Sequence, residues 1–111
     1  MKFTDSLKNN HNYLYVYKNG KSFANRFLVM YVLENGTDNN RLGISVSKKV
    51  GNSVVRHHLT RLVRESYRLH EAVFNSGLDI VIVARVTAKE CTYKEIESAV
   101  LHLGKLHNIC H

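Results

Sequence analysis

Residues Arg41 to Arg68 read RLGISVSKKVGNSVVRHHLTRLVRESYR, and this stretch decides the fold class of the chain. In its first part Leu42, Ile44 and Val46 alternate with small or polar residues, which predicts a strand with one buried face and one small, polar face that a ligand can reach. From about Ser53 to His70 the apolar spacing changes to that of a helix. The predicted apolar side of this helix consists of Val55, Leu59, Leu62, Val63 and Leu69.

The same stretch carries much of the positive charge of the chain. It contains seven of the 16 Lys and Arg residues and one acid, Glu65, in a chain of net charge +7. At about 100° per residue, four side chains fall within about 60° of one another, opposite the apolar side, along roughly 16 Å of helix. We call these four residues the ridge: His57, Arg61, Arg64 and Arg68. Glu65 is interpreted as a surface acid or an i, i+4 partner of Arg61.

Three polar residues precede the helix in the loop: Lys48, Lys49 and Asn52. They lie where free backbone N–H groups and the positive end of the helix dipole already favour an anion. Arg56 points away from the ridge but lies near the N-terminus of the same helix. A planar guanidinium can hold two phosphate oxygens at once, so the ridge and this loop together predict a surface for a nucleic-acid backbone.

The remaining segments complete an α+β domain over residues 1–111. The patterns predict a short helix from Asn9 or Asn10 to about Lys18, a strand from Arg26 to Glu34, an interior strand from Leu78 to Val86, and a helix from about Tyr93 to His107. An extra short strand is predicted around Lys21 to Ala24. The polar turn at 35–40 resembles a hairpin connection to the next strand. The predicted order is α-β-β-(β)-α-β-α, a mixed sheet packed with helices.

Composition limits the class of protein. The chain has no apolar run suited to a signal peptide or a membrane span, so we expect a cytoplasmic protein. The two cysteines, Cys91 and Cys110, are expected to be reduced thiols. A pI near 9.6 fits a nucleic acid, an anionic membrane or an acidic protein. The clustering of the arginines on one side of a helix favours a nucleic acid.

At this point the residues resemble a known family. RLGISVSKKVGNSVVR (residues 41–56) followed by RLVRE (residues 61–65) is similar to the signature of the bacterial ribonuclease P protein component. The resemblance extends to KNGKSFANRFLVMY (residues 18–31), DIVIVAR (residues 79–85) and the spacing of the final helix. Where that family usually has Arg-Asn-Arg, this chain has Arg56-His57-His58, and a free imidazole is mostly neutral near pH 7.

The resemblance implies a ribosomal-protein-S5-like architecture and a role in removing the 5′ leader from precursor tRNA. It implies that a large catalytic RNA performs the cleavage with Mg²⁺ bound mainly by that RNA and none held by the protein alone, and that one monomeric protein binds each RNA. The implied contacts to the catalytic RNA are Lys48, Lys49, Asn52, Arg56, Arg61, Arg64 and Arg68, with His57 on the same ridge. Tyr13, Tyr17 and Tyr31 match aromatic residues of a leader-binding cleft, and aromatic platforms suit single-stranded RNA.

Two other functions are compatible with the residue types but less so with their spacing. His57 and His58 could act as an acid/base pair, yet adjacent helical residues diverge by about 100° and no carboxylate stands beside them. A basic helix bound to a membrane would have to bury its apolar side in the lipid, but that side is needed to pack against the sheet. The tail from His107 to His111 contains metal-ligand types, but we expect a frayed end without an organised ligand set.

Overall fold

The computed structural model describes residues 1–111 and contains five strands and three helices. The strands are β1 (Thr4–Ser6), β2 (Lys21–Ala24), β3 (Leu28–Glu34), β4 (Asn40–Ser45) and β5 (Leu78–Ala84). The helices are α1 (Asn10–Asn19), α2 (Ser53–Leu69) and α3 (Tyr93–Leu106). Every predicted helix and strand is present, including the short strand β2, and the α+β class is confirmed. Strand β1 was not predicted.

Strand β5 lies at the centre of the sheet, whose order is β1-β4-β5-β3-β2. It pairs in parallel with β4 and antiparallel with β3. β1 extends the sheet beside β4 in parallel, and β2 extends it beside β3 in antiparallel orientation. All residues of β5 except the half-buried Val83 are buried, which confirms the predicted interior strand in a mixed sheet.

The predicted hairpin between the third and fourth strands is wrong. β3 and β4 follow one another in the chain, yet β5 lies between them. The connection at residues 35–39 therefore crosses the end of β5 and joins two strands that are not hydrogen-bonded to each other. The physical reason is the composition of β5: an almost wholly apolar strand is most stable where neighbouring strands and both faces cover it.

Strand β1 was missed because its sequence, Thr-Asp-Ser, has no apolar alternation. It is held by contacts from residues far along the chain. The Glu71 carboxylate accepts hydrogen bonds from the backbone N–H groups of Lys2, at 2.8 Å, and Phe3, at 3.3 Å. Burial alone would raise the pKa of Glu71, but these hydrogen bonds and that of Thr4 outweigh it, so the pKa lies below its usual value. Such long-range partners leave no local signal in the sequence.

The helix starts follow local capping residues. The side chains of Asn9 and Asn52 each accept a hydrogen bond at 3.0 Å, from the N–H groups of Asn12 and Val55 respectively. Thr92 forms a capping box with Glu95 at the start of α3. These caps satisfy N–H groups that a helix start otherwise leaves without partners, so they fix where each helix begins.

Helices α2 and α3 cover one face of the sheet, and α1 covers part of the other. The larger core lies on the α2/α3 side, whereas Leu7, Val16 and Val81 form a small core beneath α1. One prediction for α2 is wrong, because Leu69 is 55% exposed whereas Tyr67 is fully buried. The buried side is centred between Leu59 and Val63, about 100° from Leu69 but only about 60° from Tyr67.

The C-terminal tail is ordered, so the prediction of a frayed end is wrong. Ile109 is buried, and its N–H donates to the Gly104 carbonyl at 3.1 Å. The backbone of Cys110 forms an isolated antiparallel β-bridge with that of Phe74. The tail is thus attached to the segment between α2 and β5. Both cysteines are free thiols, as predicted, and burial raises the pKa of each.

Candidate nucleic-acid interface

Three tyrosines lie together on the sheet face that carries α1. Tyr13 and Tyr17 project from α1, and Tyr31 projects from β3, opposite Val81 of β5. The ring centroids of Tyr17 and Tyr31 are 4.9 Å apart in an edge-to-face arrangement, and those of Tyr13 and Tyr17 are 6.4 Å apart. All three are half-buried. We call this group, together with the sheet surface beside it, the tyrosine cleft.

The floor of the tyrosine cleft continues beyond α1 along the sheet. The pairing register places Ser45, Val83, Val29 and Ala24 in one row across β4, β5, β3 and β2. Ser45 is close enough to Tyr17 to lower the pKa of its phenol, but burial has the larger effect and the pKa is raised overall. These floor residues were not predicted as site residues, since their place depends on the strand order.

Gly43 allows Tyr13 to lie against the sheet. A Cβ atom added at Gly43 would lie 2.6 Å from Cε1 and 2.9 Å from the hydroxyl of Tyr13, closer than nonbonded atoms can approach. The small face of β4 predicted from the sequence is therefore only partly open. Gly43 is buried beneath Tyr13, whereas Ser45, two residues further on, is half-buried beside Tyr17.

Replacement of Gly43 by Ala should displace the Tyr13 ring, because the contact is with a side chain that can rotate away and not with backbone. We expect little change in the strand pairing, a Tyr13 ring moved away from β4, and weaker binding of single-stranded RNA. Comparison of the Tyr13 ring resonances in NMR spectra of the two proteins tests this directly. Unchanged Tyr13 resonances would contradict the contact.

The ridge lies on the opposite side of the sheet, on the outer surface of α2. His57, Arg61, Arg64 and Arg68 are all exposed, as are Lys48 and Lys49 in the preceding loop. Arg56 is half-buried and lines a separate depression with Ile44, Val46, His57 and Thr60. The structure thus brings the four ridge residues to one surface, as the helical angles predicted, and places Arg56 beside the ridge, where it shares a depression with His57 but not with the three ridge arginines.

Asn52 caps the N-terminus of α2 at this surface. Its side-chain oxygen accepts the Val55 N–H as the cap of α2. This oxygen is engaged in the cap, whereas the amide nitrogen of Asn52 donates no hydrogen bond within the protein and can contact a ligand. The cap also holds the α2 N-terminus beside Lys48 and Lys49.

Two arginines of the basic stretch already have carboxylate partners. Arg41 forms a two-bond ion pair with buried Asp79, through Nε at 2.8 Å and Nη2 at 2.6 Å. Arg68 pairs with Glu65 at i, i+3, which corrects the predicted i, i+4 pairing of Glu65 with Arg61. The hydrogen bonds between them lower the pKa of Glu65 and raise that of Arg68. Arg61 and Arg64 form no salt bridge.

The alternative sites have less structural support. His57 and His58 line one shallow depression with Ser53, Val54 and Arg61, and no carboxylate lines it to orient either ring. No three His, Cys, Asp or Glu side chains converge as a metal site requires. None of the helices combines the length and apolarity needed to cross a bilayer.

A small basic α+β protein with three clustered tyrosines on one sheet face and an arginine ridge on the other has the features of the class of single-domain nucleic-acid-binding proteins. The family model described as Ribonuclease P matches residues 1–107. The ribonuclease P protein component of Lachnoclostridium phytofermentans is 65% identical over 106 residues, covering 96% of this chain and 91% of the relative. That of Clostridioides difficile is 46% identical over 107 residues, covering 96% and 94%.

Solved structures agree. The Staphylococcus aureus RNase P protein matches with a TM-score of 0.88 and 37% identity, over 96% of this chain and 97% of that one. The Thermotoga maritima RNase P protein matches with a TM-score of 0.84 and 31% identity, over 91% and 96%. The chain therefore belongs to the bacterial ribonuclease P protein family, the protein subunit of a ribonucleoprotein enzyme that processes tRNA.

Proposed function

We propose that this protein binds the catalytic RNA of ribonuclease P through the ridge and the loop before α2, and binds the single-stranded 5′ leader of precursor tRNA in the tyrosine cleft. The observation that supports this division is the location of the two surfaces on opposite faces of one sheet. A single protein can then contact two RNA segments at once.

The chemistry of each surface matches its proposed ligand. Arginines on a rigid helix suit phosphates of a folded RNA, where the backbone supplies most of the affinity. Half-buried tyrosines suit the leader, because the bases of a single strand are free to stack on aromatic rings whereas those of a duplex are already stacked. Val29 and Val83 supply an apolar floor beside the rings.

The proposal assigns the cleavage to the RNA. Mg²⁺ would be held mainly by the catalytic RNA and would supply the metal-ion chemistry of the cleavage there, and the residues of this chain position the substrate and neutralise phosphates. We propose one monomeric protein per catalytic RNA, acting in the cytoplasm, where precursor tRNA is made in bacteria.

Reconstitution with the cognate catalytic RNA tests this function. At low Mg²⁺, added protein should increase the rate of precursor cleavage, because its cations take over part of the neutralisation that Mg²⁺ otherwise provides. A protein with both Arg61 and Arg64 replaced by Gln serves as the control and should give a smaller gain. An absence of any gain would contradict the proposal, and cleavage by the protein without RNA would favour the His57/His58 hypothesis instead.

A further inference from the structure

A second aromatic surface lies beside the ridge, in a groove between α2 and α3. Its lining residues are His58, Arg61, Leu62, Arg64, Glu65 and Tyr93. Leu62 is half-buried and contributes an apolar surface to the groove, while Arg61 and Arg64 line it and are exposed. This groove is separate from the tyrosine cleft, because α2 and α3 pack on the other face of the sheet.

Tyr93 is held in a fixed position within this groove. It is the first residue of α3, directly after the Thr92 cap, so its backbone is fixed by the capping box. Its hydroxyl donates to Glu97 at 3.3 Å, and Glu97 also pairs with His70 at 2.9 Å. The hydroxyl is thereby tied to the protein. The ring is half-buried, so part of it remains open to the groove.

From this arrangement we infer that Tyr93 is a stacking platform for one unpaired nucleobase of the RNA that the ridge binds, with Arg61 and Arg64 contacting the flanking phosphates. The inference rests on the proposed function and adds a base contact to it. A fixed aromatic ring next to unpaired arginines is the combination that holds an extruded base, since the ring contributes stacking and the cations hold the backbone.

The structure also indicates why Arg61 and Arg64 are the flanking contacts. Arg68 is engaged by Glu65 through two hydrogen bonds, of 2.5 and 3.0 Å. Glu65 itself lines the groove, and pairing with Arg68 neutralises a charge that would otherwise repel a phosphate there. The pair thus keeps the groove beside Tyr93 compatible with an anionic ligand.

Fluorescence offers a specific test, because the chain contains no tryptophan. The Tyr93→Trp variant carries a single tryptophan, whose emission should be quenched when the cognate catalytic RNA binds and a base stacks on the ring. Tyr15→Trp is the matched control, since Tyr15 is 57% exposed on the outer side of α1. Its emission should change much less on binding.

Two further variants separate stacking from a structural role of the hydroxyl. Tyr93→Phe keeps the ring but loses the hydrogen bond to Glu97, and Tyr93→Ala loses both. Stacking predicts near-normal affinity for the catalytic RNA in the Phe variant and a loss of roughly 5- to 150-fold in the Ala variant. Equal losses in both variants would assign the effect to the hydrogen bond and overturn the inference.

The outcomes also distinguish this inference from the proposed function. If the catalytic RNA binds Tyr93→Trp tightly and its emission stays unchanged, the stacking contact is wrong while the RNA-binding ridge remains. If the catalytic RNA does not bind the unaltered protein, the proposed function itself fails. Quenching in the Tyr93→Trp protein together with retained affinity in the Phe variant would establish the contact.

Discussion

Replacement of Tyr17 by Ala should weaken the binding of precursor tRNA with a single-stranded leader by roughly 1 to 3 kcal/mol, and leave the binding of mature tRNA unchanged. Tyr17 occupies the middle of the tyrosine cleft, with Tyr13 on one side and Tyr31 on the other. Its removal therefore takes away a stacking surface and also the edge-to-face contact that supports the Tyr31 ring. Titration of both RNAs in the same buffer measures the difference.

The same helix provides a matched control for this substitution. Tyr15 lies two residues earlier, and its exposed ring points away from the cleft. Tyr15→Ala should leave the discrimination between precursor and mature tRNA intact. Thermal unfolding of both variants checks that α1 remains folded. Equal losses for precursor and mature tRNA in the Tyr17 variant would exclude it from leader binding.

Replacement of both Arg61 and Arg64 by Gln should reduce the salt dependence of binding to the catalytic RNA by about two units in the slope of log K against log salt, if each arginine neutralises one phosphate. At about 0.9 unit per phosphate, two phosphates change the slope by about 1.8 units, which corresponds to a loss of affinity of about 60-fold at 0.1 M salt if the two proteins bind equally at 1 M salt. Both side chains are exposed and lack carboxylate partners, so the substitutions should not destabilise the fold. Binding titrations over a series of salt concentrations give the slope.

A charge-matched control distinguishes the ridge from the net charge of the protein. Lys21 lies on edge strand β2 and Lys105 on the last turn of α3, and both are exposed. Replacing this pair by Gln removes the same two charges and should change the slope much less. A similar loss from both pairs would mean that total charge, and not the ridge, determines binding.

Arg68 should contribute less to the affinity for the catalytic RNA than Arg61 or Arg64, because the RNA must first displace Glu65 from Arg68.

Local features of the fold were predictable from the sequence. The predicted helix starts at Asn9 or Asn10, about Ser53 and about Tyr93 agree with the observed starts at Asn10, Ser53 and Tyr93, because a helix start depends only on residues within one turn of the cap. The ridge was predictable for a similar reason, since helical angles alone decide which side chains share a surface. Its role in binding RNA, like that of the tyrosines, stays a prediction.

Long-range features were not predictable. The order of the strands depends on β5 lying between β3 and β4, and no local pattern in the sequence predicts that position. β1 is stabilised by Glu71, more than 60 residues away along the chain. The contact of Tyr13 with Gly43 joins α1 to β4. From the sequence, the tyrosine on α1 and the small residue on β4 were two separate features, because nothing local shows that they pack against each other.

The central position of β5 has a consequence for the newly made chain. Without residues 78–84 the sheet would consist of two unconnected pairs, β1 with β4 and β2 with β3. Tyr31 belongs to one pair, whereas Gly43 and Ser45 belong to the other, so the tyrosine cleft cannot form until β5 has left the ribosome. Residues 1–77 should therefore emerge with their most basic segment present but without the tyrosine cleft, and the sheet should then assemble late, through contacts between distant segments.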